Sequence, residues 1–410
     1  MPDVSFTNLL VVAAVAVLAP LTVGFFPRLR VPAVVLEIIG GIIIGPSVLG
    51  WVRVDLPVQI LSLFGLAFLL FLAGLEIDVH QLRGRLLRFA VLGYLVSLVL
   101  GYGAGATFTA AGWVSQPLLV AIIFSATALG LVVPVLKDAG QVHSPVGQTA
   151  LAAASVADFT AIVLLSLFFS SSGGSTGARV VVLGAFAGLV AVTGLAVSGA
   201  ARSVRLGQVL VRLQDTTAEI RVRCAVLLLV GFTVLAGRFG LESILGAFLA
   251  GAIVGLVDRD SCSHPNFRVK LEAIGYGFLV PVFFVASGIR LNLTGLLHSP
   301  SALARVPLFL LALLAVRGLP ALLGLRANGT RPTLALGLLQ ATSLPFIVTA
   351  TQIGVALGQL SSVTAAALVC AGLLSVLIFP LLALALLRRN EPAPAATEDV
   401  TAFVPQPHLM

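Results

Sequence analysis

The chain has 410 residues, 59% of them hydrophobic and only 10% charged, with a mean hydropathy of +1.12. Soluble domains carry about 25% charged residues, so this composition excludes one and indicates a polytopic membrane protein. The net charge of +8 does not point to nucleic acid: the basic residues sit in short loops between apolar runs, where they report topology.

A window of about 19 to 20 apolar residues finds thirteen segments in chain order, near 6–26, 32–50, 58–78, 89–111, 117–136, 146–169, 178–200, 220–237, 241–257, 272–289, 303–325, 332–354 and 360–387. The first is long enough to span and has no basic residues before it, so it reads as a span and not as a cleavable signal. The second carries Glu37 a few residues inside its start, in Leu36-EIIGGIIIGPSVLG; both it and the ninth are short and glycine-rich. The third ends at Glu76, beside Asp78 and His80, where a solvated boundary is expected. The fifth is interrupted in its middle by Ser125, Thr127, Gly130 and Pro134. The sixth carries Asp158 as its single charge, with Ser155 close by. The eleventh carries Arg317, and the twelfth is interrupted by Gln340, Thr342, Ser343 and Pro345. Beyond the last segment, 389–410 is short, polar and proline-rich, and reads as a disordered tail.

Alternating the loops between two sides places eighteen Lys and Arg on one side and five on the other, with Arg317 inside a span. The positive-inside rule then puts the amino terminus outside and the carboxyl terminus in the cytoplasm of a plasma or inner membrane. Arginine far outnumbers lysine, present only as Lys137 and Lys270, a weak sign of a GC-rich bacterial genome.

The chain also repeats itself. Phe71-LAGLEID resembles Phe284-VASGIRL, Phe124-SATALGLVVP resembles Leu339-QATSLPFIVT, and Gly147-Gln148 matches Gly358-Gln359, at offsets of 211 to 215 residues. Segments one to six therefore map onto eight to thirteen, with segment seven as a linker. Seven spans separate counterparts, an odd number, so the halves have opposite orientation. The expected fold is an all-α polytopic membrane protein of about thirteen helices in two inverted six-helix repeats. Discontinuous helices five and twelve are expected to cross near the midplane.

A carboxylate at bilayer depth costs several kcal/mol unless it faces a cavity or a partner, so Asp158 marks an ion or proton site by default; the bland alternative is a hydrogen-bonded structural acid. The interrupted segments add oxygen ligands suited to a hard monovalent cation: Ser125, Thr127, freed carbonyls, and on the other side Gln340, Thr342, Ser343 and the turn at Pro345. Each Ser or Thr taken alone serves equally well as interhelical glue. Arg317 either neutralises the helix ends at the crossing, pairs with an empty Asp158, or snorkels to the interface. Glu37 either assists cation or proton entry or stabilises the start of its helix. The five histidines lie in loops or the tail, outside any intramembrane relay. Cys224, Cys262 and Cys370 lack metal-ligand spacing and read as packing residues. No P-loop, zinc spacing, Rossmann glycine pattern or catalytic triad is present, so no cofactor is expected and neither ATP-driven transport nor enzymatic chemistry has support.

Pro32-AVVLEIIGGIIIGPSVLG, Phe68-LLFLAGLEID, Ser125-ATALGLVVPVLKD, Leu245-GAFLAGAIVG and Val280-PVFFVASGIRL together resemble the monovalent cation:proton antiporters, second subfamily, over nearly the whole transmembrane region. The resemblance implies a homodimer in which a core moves against a dimerisation domain to alternate access. On that pattern, 1–111 holds helices one to three of the dimerisation side and core helix four, and 112–170 holds core helices five and six with the ion site. Residues 171–218 form the linker helix and its loop, 219–300 dimerisation helices eight to ten, and 301–388 core helices eleven to thirteen. Asp158 matches the family's ion-binding aspartate, Thr127 its broken-helix motif, and Arg317 a basic residue of the eleventh helix. Two departures stand out. Ala157 replaces the polar or acidic neighbour usual before the aspartate, and the short tail is expected to carry none of the appended nucleotide-binding domain of some relatives.

The expected activity is exchange of Na+ or K+ for H+ at Asp158, the transported ion being the only metal. Burial disfavours the charged carboxyl, so proton and cation compete there. A single carboxylate implies electroneutral exchange. The alternative is a sodium- or proton-coupled transporter of a small organic solute on the same fold.

Overall fold

The computed structural model describes residues 5–25, 31–76, 84–138, 140–169, 176–201, 219–257, 265–325 and 329–388, and every regular element among them is helical. Each of the thirteen apolar segments coincides with a helix or a helix pair. Nine of these stretches are long and apolar enough to cross a membrane, while Ala33–Ile44, Pro117–Val133, Val180–Leu195 and Ser243–Leu256 are shorter.

The local chemistry explains where the helices start and stop. Helix α1 is Thr7–Phe25 and α2 is Ala33–Ile44. The latter stops short of the expected 50 because Gly45 is extended (φ −74°, ψ 177°) ahead of Pro46, which disfavours the helical conformation in the residue before it. Helix α3, Leu56–Leu75, is capped by Asp55, whose side chain accepts from the Val58 N–H at 3.1 Å. Helix α4 is Gly84–Ala110. Segment five divides into α5, Pro117–Ser125, and α6, Leu129–Asp138. Then follow α7 (Pro145–Phe169), α8 (Thr176–Ala201), α9 (Ile220–Arg238) and α10 (Ser243–Val257). Segment ten comprises α11, Pro265–Ile274, a π turn over Gly275–Leu279, and α12, Val280–Arg290. Pro281 lacks the N–H that would bond to residue 277 and its ring crowds that carbonyl; widening the turn relieves both. Short α13 is Leu293–Leu297. Helix α14, Pro300–Gly318, tightens at Pro320 into a 3-10 turn, Leu319–Gly324. Segment twelve divides into α15, Thr330–Gln340, and α16, Pro345–Ala356, and α17 is Ser362–Arg388.

Packing sorts most of these helices into two sets. Helices α2, α3, α10 and α12 pack on one another, with α1 and α9 outside them. Helices α4, α5, α7, α14, α15, α16 and α17 form the second set. Glycine makes the first set tight: a Cβ on Gly41 would fall on the Val285 carbonyl, and one on Gly288 on the Ile38 carbonyl. In the second set, Gly101 and Gly105 of α4 press on Ala121 and Pro117 of α5.

One packing expectation changes: Cys224 is exposed on α9 and does not pack, whereas Cys370 lies against the main core. Asp78, His80, Cys262, the 202–218 loop and the 389–410 tail lie outside the described residues.

Candidate functional site: two broken helices around Asp158

Between α5 and α6 the chain runs extended through Ala126 (φ −78°, ψ 154°), and between α15 and α16 it leaves the helix at Leu344 (φ −143°, ψ −56°) ahead of Pro345. The two breaks satisfy each other. The Ala128 N–H donates to the Thr342 carbonyl at 2.9 Å, and the Thr127 hydroxyl donates to the Gln340 carbonyl at 2.7 Å. Backbone groups freed in both helices thus find partners without water, which is what permits irregular chain at membrane depth.

Charge at the crossing is matched to the helix ends. Helices α5 and α15 end there and present carbonyls; α6 and α16 begin there and present N–H groups, giving partial negative and positive poles respectively. Arg317, 1% exposed, donates through Nε and Nη2 to the Thr127 hydroxyl at 2.9 and 2.6 Å, and through Nη1 to Ser97 at 3.2 Å. Its positive charge therefore reaches the α15 terminus through Thr127 and the Gln340 carbonyl. It neither snorkels nor bonds to Asp158. On the other pole, Asp158 Oδ2 accepts from the N–H of Leu129, the first residue of α6, at 3.3 Å.

Asp158 is brought here by the alanine-rich face of α7, where Ala150, Ala153, Ala154 and Ala157 are buried and let neighbouring helices approach. The side chain is half-buried and lines a largely apolar cleft shared with Thr127, Gly130, Tyr276, Pro345 and Phe346; the space within it, including its open mouth, is about 610 Å3. Among the described residues Asp158 Oδ1 has no hydrogen-bond partner. The carboxylate in the cleft wall thus has one oxygen held by a helix terminus and the other buried and unpartnered among the described residues.

The remaining expected residues are placed as follows. Ser125 is fully buried, donating to the Ile122 carbonyl at 3.0 Å and receiving the Tyr94 hydroxyl at 3.0 Å. Ser155 donates to the Leu151 carbonyl of its own helix at 2.9 Å, turned into α7. Thr342 likewise donates to Leu338 at 3.1 Å. The backbone of Ser343 is held from both sides by Ser375 of α17, which receives its N–H at 3.2 Å and donates to its carbonyl at 3.0 Å. The Ser343 hydroxyl and the Gln340 amide nitrogen, both buried, have no partner among the described residues. Glu37 is 5% exposed in the second turn of α2, with Oε2 unpartnered among the described residues. That corrects the helix-start reading, since the dipole effect is confined to the first turn. Val34, one turn earlier, lines the cleft.

Sequence reasoning missed Tyr94, Ser97, Ser375 and Tyr276. A signal for the first two existed: Gly93, Ser97, Gly101 and Gly105 recur every four residues on α4, a small-residue seam that marks a buried face and makes any polar member a candidate partner. Tyr276 had none, because the π turn that aims it is a tertiary feature.

Fold and site together define a polytopic membrane protein in which two discontinuous helices cross beside an intramembrane carboxylate, with a buried arginine at the opposite pole. Residues 13–388 match the family described as sodium/hydrogen exchanger, transmembrane, and the chain belongs to that family. It is 32% identical over 412 residues to YjbQ of Bacillus subtilis, covering 95% of this chain and 64% of that one, so it spans about two thirds of that relative's length. It is 30% identical over 269 residues to a Na(+)/H(+) antiporter of Enterococcus hirae, covering 65% of this chain and 68% of that one. Among solved structures, the sodium proton antiporter MjNhaP1 of Methanocaldococcus jannaschii at pH 8 superposes with a TM-score of 0.63, covering 91% of this chain and 95% of that one. At 19% identity that likeness concerns the fold.

Proposed function

We propose that the protein exchanges Na+ or K+ for H+ by alternating access, with Asp158 as the shared site. The observation that carries this reading is the Asp158 carboxylate in the cleft wall, anchored through Oδ2 to the start of α6 and unpartnered at Oδ1 among the described residues. A proton or a cation neutralises the acid in turn, and only the neutralised site crosses the apolar seam between the two helix sets. Thr127 and Arg317 hold the crossing in shape while the acid changes partner. Ala157 before Asp158 leaves one carboxylate in the cleft, so one proton is exchanged per cation and the cycle is electroneutral. In this reading thirteen helices cross the membrane as two inverted repeats, the amino terminus lies outside, and the first helix set forms the face of a homodimer.

The test is proton flux in proteoliposomes on adding Na+, K+ or Li+, wild type beside Asp158→Asn. A cation-dependent pH change that disappears in the variant is expected. Retained coupled flux in the variant would sink the assignment of Asp158. Absence of any cation response in folded wild type would favour an organic-solute transporter. Imposed membrane voltage is expected to leave the initial rate unchanged when both ion gradients are clamped; a rate proportional to voltage would mean more than one proton per cation.

A further inference from the structure

The cleft at Asp158 separates the two helix sets, with α2, α3, the π turn and α12 lining one wall and the α5–α6 break, α7 and the start of α16 lining the other. Its two ends are built differently. At one end Tyr276, carried on the π turn, extends its hydroxyl to within 3.5 Å of where a Cβ on Gly130 would stand. That residue is 43% exposed, so the phenol narrows this end without sealing it. Along α12 in the other direction, past Phe284 in the cleft wall, comes Ser287, which is 6% exposed. Its hydroxyl donates to the Phe283 carbonyl at 2.7 Å and accepts from Gln352 Nε2 at 3.2 Å. Gln352 lies about two helical turns along α16 beyond Pro345, which lines the cleft.

This hydrogen bond joins elements that otherwise belong to opposite sets: α12 packs on α2 and α3, and α16 on α5, α7 and α17. The neighbours of Ser287 on α12, including Phe283, Val285, Ala286 and Ile289, are buried and Gln352 is half-buried, so the bond lies at the edge of the packed seam. We propose that the Gln352–Ser287 hydrogen bond is the latch of the far side of the pathway. It holds the seam shut beyond the cleft while Asp158 is reached past Tyr276, and it parts when the two sets re-seat with Asp158 facing the other way. The proposal rests on the exchanger reading above. A single neutral hydrogen bond suits the task because its net contribution is small: it biases one state without trapping the protein in it.

The experiment measures the half-saturating cation concentration at each membrane face, in vesicles of known orientation. It compares wild type, Ser287→Ala, Gln352→Leu, the double variant and Ser287→Thr, which keeps the hydroxyl. Breaking the latch favours the state open on the far side, so the far-to-near ratio of half-saturating concentrations is expected to fall on the order of two- to tenfold in each single variant. The double variant should fall no further than either single, and Ser287→Thr should keep the wild-type ratio. Both constants come from the same vesicles, so loss of folded protein lowers the rates and leaves the ratio alone. An unchanged ratio in the single variants, additive effects in the double, or a Thr variant behaving as Ala would overturn the latch. Variants too slow to assay are read by deuterium uptake over 283–290 and 345–356, expected to rise above wild type; unchanged uptake would overturn the proposal. Wild type without cation-driven proton flux would instead overturn the exchanger reading.

Discussion

Thr127→Val tests the polar chain that ties the two broken helices together. The hydroxyl accepts two hydrogen bonds from the Arg317 guanidinium, at 2.9 and 2.6 Å, and donates one to the Gln340 carbonyl at 2.7 Å. Valine matches threonine in shape and removes all three bonds. Two guanidinium N–H groups and one helix-terminal carbonyl are then stranded in a region that excludes water. Losing a hydrogen bond to a charged group costs about 1.5–3 kcal/mol. One such loss with partial relaxation of the other contacts places the total near 3 kcal/mol, more than a hundredfold in the population of the intact crossing. Thr127→Ser keeps the hydroxyl and loses one methyl, about 1 kcal/mol. Ser97→Ala removes only the longer 3.2 Å bond to Nη1 and should fall between them. The assay is the thermal midpoint in detergent together with cation-driven proton flux. The expected order of loss is Val, then Ala at 97, then Ser at 127. A Thr127→Val protein that melts and transports as wild type would refute the role given to this chain.

Further outcomes follow from packing and burial. Gly41→Ala should severely lower folded yield, because the added Cβ lands on the Val285 backbone carbonyl and α2 and α12 cannot separate without losing their seam; Gly184→Ala, where nothing lies within 4 Å, should be silent in the same expression and melting assay. Glu242, just before α10, has its carboxyl pushed above the usual range by burial. Its folded form thus holds the proton more tightly than the unfolded chain, and its contribution to stability is lost as pH rises from the ordinary carboxylate value through the raised one. Glu242→Gln should therefore melt higher than wild type at alkaline pH, with the two midpoints converging at acid pH; a constant difference across pH would contradict this.

Much of the architecture was legible because lipid imposes a simple rule. Every span must be apolar and must satisfy its own backbone, so hydropathy alone located the apolar segments, and Ser125 with Thr127 in one and the run from Gln340 to Pro345 in another located the breaks, whereas Gly130 and Pro134 lie within α6. The breaks at Ala126–Ala128 and Ala341–Leu344 fall where those residues cluster. Asp158 and Arg317 were visible for the same reason, since a charge stands out in an apolar run. Boundaries were set by prolines acting through their neighbours, as at Gly45 before Pro46, and there the hydropathy window overran.

Tertiary structure alone decided which groups meet. The sequence left Arg317 with three possible destinations, and the fold sends it to Thr127 in the α5–α6 break and Ser97 on α4, both far away along the chain. It left Glu37 near a helix start, and the fold buries it in the second turn of α2. It carried no sign that Tyr276 would reach Gly130 or that Gln352 would bond Ser287. Hydropathy and turn chemistry act over a few residues and are written locally. A hydrogen bond across a seam depends on the rotation and height of two helices at once, and those are fixed by the packing of the whole bundle.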